Sequence, residues 1–200
     1  MNVILLAAGA STRTTTPKPL YIIEQKCWLE AQLKTLSKIP IHEVTLVLGY
    51  HFNEIQTALP WVKNKKHKIE NTKINICINE NPQRGTFSSI QEGLKFGAIK
   101  DDIFILPLDC PVPSAQVWTS LKSNLLNHDA IKPQHNLKGG HPLLLSKKVI
   151  DKILDLEDTS RLDHALHSLD VFRLETDDLR VCLNLNTDEA FADYQKSLVF

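Results

Sequence analysis

The sequence predicts a single α/β domain over residues 1–200, built as three layers with a mostly parallel sheet between helices on both faces. Short apolar runs rich in β-branched residues alternate with segments whose apolar residues recur at helical spacing, as in crossover-connected parallel strands. Two hundred residues at 42% hydrophobic content suit one core of real size and are few for two. No internal repeat, low-complexity tract or linker breaks the pattern.

Val3-Ile4-Leu5-Leu6 is the first strand, and it runs into a turn of small residues, Ala7-Ala8-Gly9-Ala10-Ser11. A loop or short strand follows at Leu20–Ile23. Leu29, Leu33 and Leu36 then fall on one helical face between about Cys27 and Lys38, and Pro40 closes that segment. Val44–Leu48, ending at Gly49, reads as a buried parallel strand, and Phe52, Ile55, Ala58 and Leu59 as one face of a short helix. Lys63–Lys73 lacks apolar periodicity and is expected to be a solvated loop. Ile74–Ile78 alternates as a strand. Ser88, with Gln91 three residues on, marks a helix start by the capping-box pattern.

Ile103–Leu106 is the most apolar strand and ends in Pro107-Leu108-Asp109-Cys110-Pro111. Ser114 opens a helix carrying Val117, Trp118, Leu121 and Leu125, and a short strand lies near Ala130-Ile131. Val149, Ile150, Ile153 and Leu154 form one further helical face, and Leu162, Ala165, Leu166 and Leu169 another. Val171–Leu174 and Val181–Leu185 read as short strands. Thr187 caps a last helix with Phe191, Tyr194 and Leu198 on one side.

Composition excludes several functions. Lys and Arg number 23 against 23 Asp and Glu, so no polyanion-binding surface is expected, and the Lys63–Lys73 run lacks the interleaved aromatics that stack on nucleic-acid bases. No apolar run reaches the roughly twenty residues of a membrane span. The N-terminal run is short and no Lys or Arg precedes it, so it is read as mature protein rather than a signal peptide. Four scattered cysteines without a C-x-x-C pair argue against a zinc site or a disulfide framework and fit the cytoplasm. Cys110 is open to two readings, a packing residue or a nucleophile. His164 and His167 likewise read as neighbours of a buried stripe or as metal ligands.

The small-residue turn lets backbone N–H groups approach anionic oxygens, and Arg13 and Lys18 add positive charge. Asp109 leaves the carboxyl end of a strand, where ligands gather in open α/β sheets; it is placed to hold a divalent metal, or else to cap the following helix.

The order Leu6-Ala7-Ala8-Gly9-x-Ser11-x-Arg13, with Lys18 five residues after the arginine, resembles the signature of the MobA-like nucleotidyltransferases. Later landmarks agree in order: Asn81-Pro82, Gly85 and Ser88-Ser89; Asp109-x-Pro111; Gly140-His141-Pro142; and Asn184-x-Asn186-Thr187. The resemblance implies a Rossmann-like fold and transfer of a nucleoside monophosphate to a phosphorylated small-molecule acceptor with release of pyrophosphate. It implies nucleotide contacts from Leu6, Ala7, Ala8, Gly9, Arg13, Lys18, Asn81, Gly85, Ser88, Ser89 and Asp109, with Arg13, Lys18 and Asp109 as the catalytic set. It also implies Mg2+ on Asp109 and Asn186. Leu-Ala-Ala-Gly and Gly-His-Pro are most like the molybdenum-cofactor cytidylyltransferase branch, which implies CTP, a molybdenum-pterin acceptor met by His141, and delivery of the product to a molybdoenzyme.

The chain departs from the family pattern at Thr14-Thr15, in place of Met-Gly, and at Gln25 and Cys27. It departs again at Glu157–Arg161, in place of a glycine turn, and at Asn184 and Asn186, in place of aspartates. These departures leave open another acceptor, such as a sugar phosphate or a guanylylated cofactor, and a non-catalytic nucleotide-binding paralogue.

Overall fold

A computed structural model describes residues 1–97, 101–157 and 160–198. In chain order the strands and α-helices are β1 (Asn2–Ala7), β2 (Ile22–Ile23), β3 (Lys26–Cys27), α1 (Trp28–Ser37), β4 (Glu43–Leu48), α2 (Phe52–Ala58), β5 (Lys66–Ile69) and β6 (Thr72–Ile78). They continue with α3 (Thr86–Phe96), β7 (Ile103–Pro107), α4 (Ala115–Asn124), β8 (Ala130–His135), β9 (Lys138–Gly139) and β10 (Leu143–Leu145). The last are α5 (Ile150–Leu154), α6 (Leu162–His167), β11 (Val171–Glu175) and α7 (Asp188–Ser197).

The main sheet runs β11-β8-β10-β7-β1-β4-β6-β5, with β9 hydrogen-bonded to β8. Strands β4 and β7 flank β1 and both run parallel to it, so the strand order reverses at β1. A crevice forms at such a reversal, beyond the carboxyl ends of the strands. Strand β10 is antiparallel to both β7 and β8, which leaves β7, β8 and β11 pointing the same way.

Successive side chains of β1 alternate between two cores. Val3, Leu5 and Ala7 pack with Trp28, Leu29, Leu33 and Leu36 of α1 and with Phe191 of α7. Ile4, Leu6 and Ala8 pack with Phe87, Ile90 and Leu94 of α3. Each buried Val, Leu, Ile or Phe side chain among these contributes roughly 1.5–3 kcal/mol of transfer free energy, so a strand buried on both sides is held tightly, as its unbroken apolar sequence requires. Aromatic contacts tie the C-terminus back to the N-terminal half: Phe191 stacks on Tyr21 at 4.1 Å and meets Trp28 edge-on at 5.7 Å.

Three expectations change. Lys66–Ile69, inside the expected loop, pairs antiparallel with β6 as the sheet's edge strand; its lysines suit an edge that must not recruit another strand. Val181–Leu185 is not a strand. Leu179–Cys182 is a 3-10 turn opened by the Asp178 side chain, which accepts from the Arg180 N–H, and the alternation reflects burial of Val181 and Leu185 on either side of an exposed Leu183. Helix α3 begins at Thr86, with Gly85 before it, rather than at Ser88. The Gln91 side chain is instead buried and donates to the carbonyls of Ile153 (2.9 Å) and Leu156 (2.8 Å), closing the end of α5. The Glu157–Arg161 departure lies partly outside the described residues, at 158 and 159.

Candidate active site

The carboxyl end of β1 delivers its loop into a cleft of about 430 Å³. Ala8, Gly9, Ala10 and Ser11 line one side of it. A Cβ on Gly9 would meet no protein atom within 4 Å, so the bare backbone there leaves room beside the chain. Among the described residues, the N–H groups of Gly9, Ala10, Ser11, Thr12 and Arg13 donate to no protein acceptor. Gly9, Ala10 and Ser11 among them line the cleft, where uncommitted backbone donors can meet an anion.

Several contacts fix the loop's shape. The Ser11 hydroxyl accepts the Lys18 N–H at 3.0 Å, and Thr15 N–H donates to the Asp188 carboxylate at 3.1 Å. The Thr14 hydroxyl reaches the carbonyls of Ser11 (3.1 Å) and Thr16 (2.8 Å). The two threonines therefore brace the loop. His51 contributes from α2's start, with Nε2 3.0 Å from the Ala10 carbonyl and Nδ1 2.8 Å from Glu54. The Ala10 carbonyl, then Glu54, raise the His51 pKa.

Asp109 follows β7 at the neighbouring strand end. Its turn is held by Leu108 N–H donating to the Leu6 carbonyl at 2.9 Å, by Trp28 Nε1 donating to the Leu108 carbonyl at 2.6 Å, and by Leu185 N–H donating to the Asp109 carbonyl at 2.7 Å. The Asp109 side chain is thereby left for other work. Lys18 Nζ lies 3.2 Å from Asp109 Oδ2 and also donates to Asn186 Oδ1. Two oxygens from distant segments converge on one positive charge, which is the setting that suits a hard divalent cation. Among the described residues no group of three His, Cys, Asp or Glu side chains forms a metal cage. A metal on Asp109 and Asn186 would take its other oxygens from water and phosphate, as magnesium commonly does.

The opposite wall comes from β4 and α3. Tyr50, Pro82, Gly85, Thr86 and Ser89 line it. Gly49 is required by close approach, because a Cβ there would stand 2.9 Å from both the Ala8 and Pro82 Cβ atoms. Buried Asn79 organises the wall: its Nδ2 donates to the hydroxyls of Ser88 and Ser89, each at 2.9 Å, and its Oδ1 accepts the Asn81 N–H at 2.9 Å.

The structure thus brings together Leu6, Ala7, Ala8, Gly9, Lys18, Gly85, Ser89 and Asp109 at one cleft, with Asn186 reached through Lys18. Arg13 is exposed and lies outside the cleft lining. Ser88 is buried behind Ser89 and donates to the Gly85 carbonyl at 2.8 Å, and Asn81 adjoins Pro82 without lining the cleft. His141 also stands outside it; its Nδ1 is buried without a hydrogen-bond partner, and burial pushes its pKa down to about 4. Cys110 is a packing residue: burial, then the Asp109 charge, raise its thiol pKa, and Sγ lies 3.2 Å from Asn184 Oδ1. His164 and His167 are exposed, with ring centroids 6.4 Å apart. Sequence reasoning missed Gly49, Tyr50 and Asn79. Only Gly49 carried a signal, as a glycine ending a buried strand.

The family described as "MobA-like NTP transferase domain" matches residues 3–174. Molybdenum cofactor cytidylyltransferase of Escherichia coli K12 is 25% identical over 193 residues, 96% of this chain and 93% of that protein. A nucleotidyl transferase from Methanothermobacter superposes with a TM-score of 0.79 at 15% identity, covering 99% of this chain and 97% of the other. Rv0371c of Mycobacterium tuberculosis, in a complex with manganese, gives 0.72 at 18% identity and 98% coverage of both chains.

Proposed function

Because the chain belongs to the MobA-like NTP transferase family, we propose that it transfers CMP from CTP to a phosphorylated acceptor, the molybdenum-pterin cofactor, and releases pyrophosphate. The observation that carries this is the meeting of Lys18 and Asp109 at the mouth of β1 and β7, beside a loop of uncommitted N–H donors. The loop and Lys18 would hold the triphosphate, and fixed donors in a partly enclosed site lower the barrier by stabilising charge without reorganising. Arg13, exposed on the same loop, would reach the outer phosphates. Pro82, Gly85 and Ser89 would enclose base and ribose, with Ala8 in the base pocket favouring cytidine.

Magnesium, held by Asp109 and Asn186, would neutralise phosphate oxygens when bound. The manganese complex of the Mycobacterium relative supports a divalent metal, and the 25% identity to the E. coli enzyme supports the cofactor branch. We place the protein in the cytoplasm. Its four cysteines are unpaired, and no helix among the described residues is long and apolar enough to cross a membrane.

Thermal melts with CTP, GTP, ATP and UTP, each with and without magnesium, test this reading, since a ligand of the folded state adds about 2.7 kcal/mol of stability at a hundredfold excess over Kd and so must raise the melting temperature. A magnesium-dependent CTP shift that weakens in Asp109→Ala is the expected result. A GTP or UTP preference redirects the reading to a guanylylated cofactor or a sugar phosphate. No shift with any nucleotide sinks it.

A further inference from the structure

Two residues at the cleft's edge hold left-handed backbone without being glycine: Ser11, at φ 52° on the loop after β1, and His51, at φ 61° in the turn from β4 into α2. Such strain persists only where surrounding contacts over-determine it. Here the turn is tied to the loop at two points. Tyr50 N–H donates to the Ala8 carbonyl at 3.3 Å, and His51 Nε2 lies 3.0 Å from the Ala10 carbonyl oxygen while its Nδ1 lies 2.8 Å from Glu54 Oε1. A carbonyl and a carboxylate only accept, so the ring that satisfies both contacts at once is the imidazolium, which donates from both nitrogens. The neutral ring keeps one N–H and can serve Ala10 or Glu54, not both. Among the described residues Glu54 is the charge that acts on the ring; Arg13 and Lys18 of the loop and the adjacent Tyr50 do not.

The carbonyl that His51 holds belongs to the Ala10–Ser11 peptide. That peptide is trans, so its carbonyl and its N–H point to opposite sides, and the Ser11 N–H is turned away from the His51 ring. Ala10 and Ser11 line the cleft and His51 does not. The Ser11 N–H donates to no protein acceptor among the described residues. A cation donating to the carbonyl also polarises the peptide and strengthens its N–H as a donor.

Resting on the nucleotidyltransferase reading, we propose that His51 is a positioning residue for the nucleotide's phosphates: as an imidazolium braced by Glu54, it fixes and polarises the Ala10–Ser11 peptide so that the Ser11 N–H meets the anion, coupling nucleotide affinity to one proton. The protonated form binds more tightly. Affinity is therefore highest below the His51 pKa, which the Ala10 carbonyl and then Glu54 hold above the ordinary 6.5, and it falls as pH rises through that value. By reciprocity, bound nucleotide makes the ring still harder to deprotonate.

The test is calorimetric titration of CTP and of GTP, each with magnesium, between about pH 6 and pH 9, with every variant read against the unmodified protein at the same pH because the triphosphate also titrates. His51→Gln keeps a neutral donor near the Nε2 position; it is expected to bind roughly fivefold more weakly at the acid end, the difference between a charged and a neutral donor, and to match the unmodified protein at the alkaline end. Glu54→Gln, exposed and outside the cleft lining, should leave acid-end affinity within about twofold and move the fall in affinity to lower pH. NMR titration of the ligand-free protein should show the Ser11 amide following the His51 ring nitrogens through a single transition. A His51→Gln ratio that does not vary with pH overturns the proposal while the transferase reading stands. So does a Ser11 amide that ignores the ring's titration, or a Glu54→Gln profile with an unmoved midpoint. Failure of the unmodified protein to bind either nucleotide overturns the transferase reading and this proposal together.

Discussion

The ammonium of Lys18 lies 3.2 Å from the carboxylate of Asp109, although the two residues are 91 positions apart. The pair is only partly shielded, with side-chain exposures of 17% and 22%, so as a stabilising contact it contributes no more than about 1 kcal/mol. Its placement at the strand-end cleft gives it a different use. Asp109→Asn keeps the shape and removes the charge, and it is expected to lower pyrophosphate release by a factor on the order of 10² or more, with a melting temperature close to that of the unmodified protein. Turnover near normal in a steady-state assay would contradict the role given to Asp109.

Gly49→Ala should damage the site from behind. The added Cβ would stand 2.9 Å from the Ala8 and Pro82 Cβ atoms, so one cleft wall must move. Overpacking of this kind costs about 1–3 kcal/mol, and the moved wall should weaken nucleotide binding. Denaturant melts read the first effect and nucleotide titration the second; wild-type values in both would show that the walls tolerate the methyl.

Asn79→Ala removes a buried amide that serves two hydroxyls and one backbone N–H. Leaving such groups unsatisfied costs about 1–3 kcal/mol. Ser89, which lines the cleft, would lose its orientation. Chemical denaturation should show the loss of stability, and nucleotide affinity should fall with it.

Asp178 makes stability depend on acid. Burial alone would raise its pKa, but the Arg180 guanidinium and the Ser114 N–H overcome this and hold it down to about 2, from an ordinary 3.8. A carboxylate with a depressed folded-state pKa stabilises the fold above its unfolded pKa, and the contribution is lost as pH falls through the folded one. Asp178→Asn is therefore expected to cost about 1–2 kcal/mol at pH 7, with the difference from wild type closing between about pH 4 and pH 2. A gap independent of pH, measured by urea melts, would show that charge is not the cause.

The strands were the most legible part of the fold. Ile103–Leu106 and Val44–Leu48 are apolar on both faces because both faces are covered, and that leaves its mark on sequence. Val181–Leu185 shows the limit of such reading: buried Val181 and Leu185 are set by contacts with separate parts of the fold, and the alternation between them mimics a strand. The Ser88–Gln91 pattern failed for a related reason. Buried Asn79 engages the serine and the end of α5 engages the glutamine, so tertiary partners displaced the local cap.

The sequence by itself determined the central strands β1, β4, β6 and β7 with the helices between them, the small-residue loop after β1 and the position of Asp109 at a strand's carboxyl end, because these follow from side-chain period and from the local conformations that Gly, Pro and small residues allow. Only the tertiary structure decided that Lys18, Asp109 and Asn186 meet, that Arg13 stands exposed outside the cleft, and that His51 reaches the Ala10 carbonyl. The physical reason is that distances between residues remote in sequence are set by the lateral order of strands. Here that order puts β1 between β4 and β7, and no local pattern of apolar and polar residues encodes it.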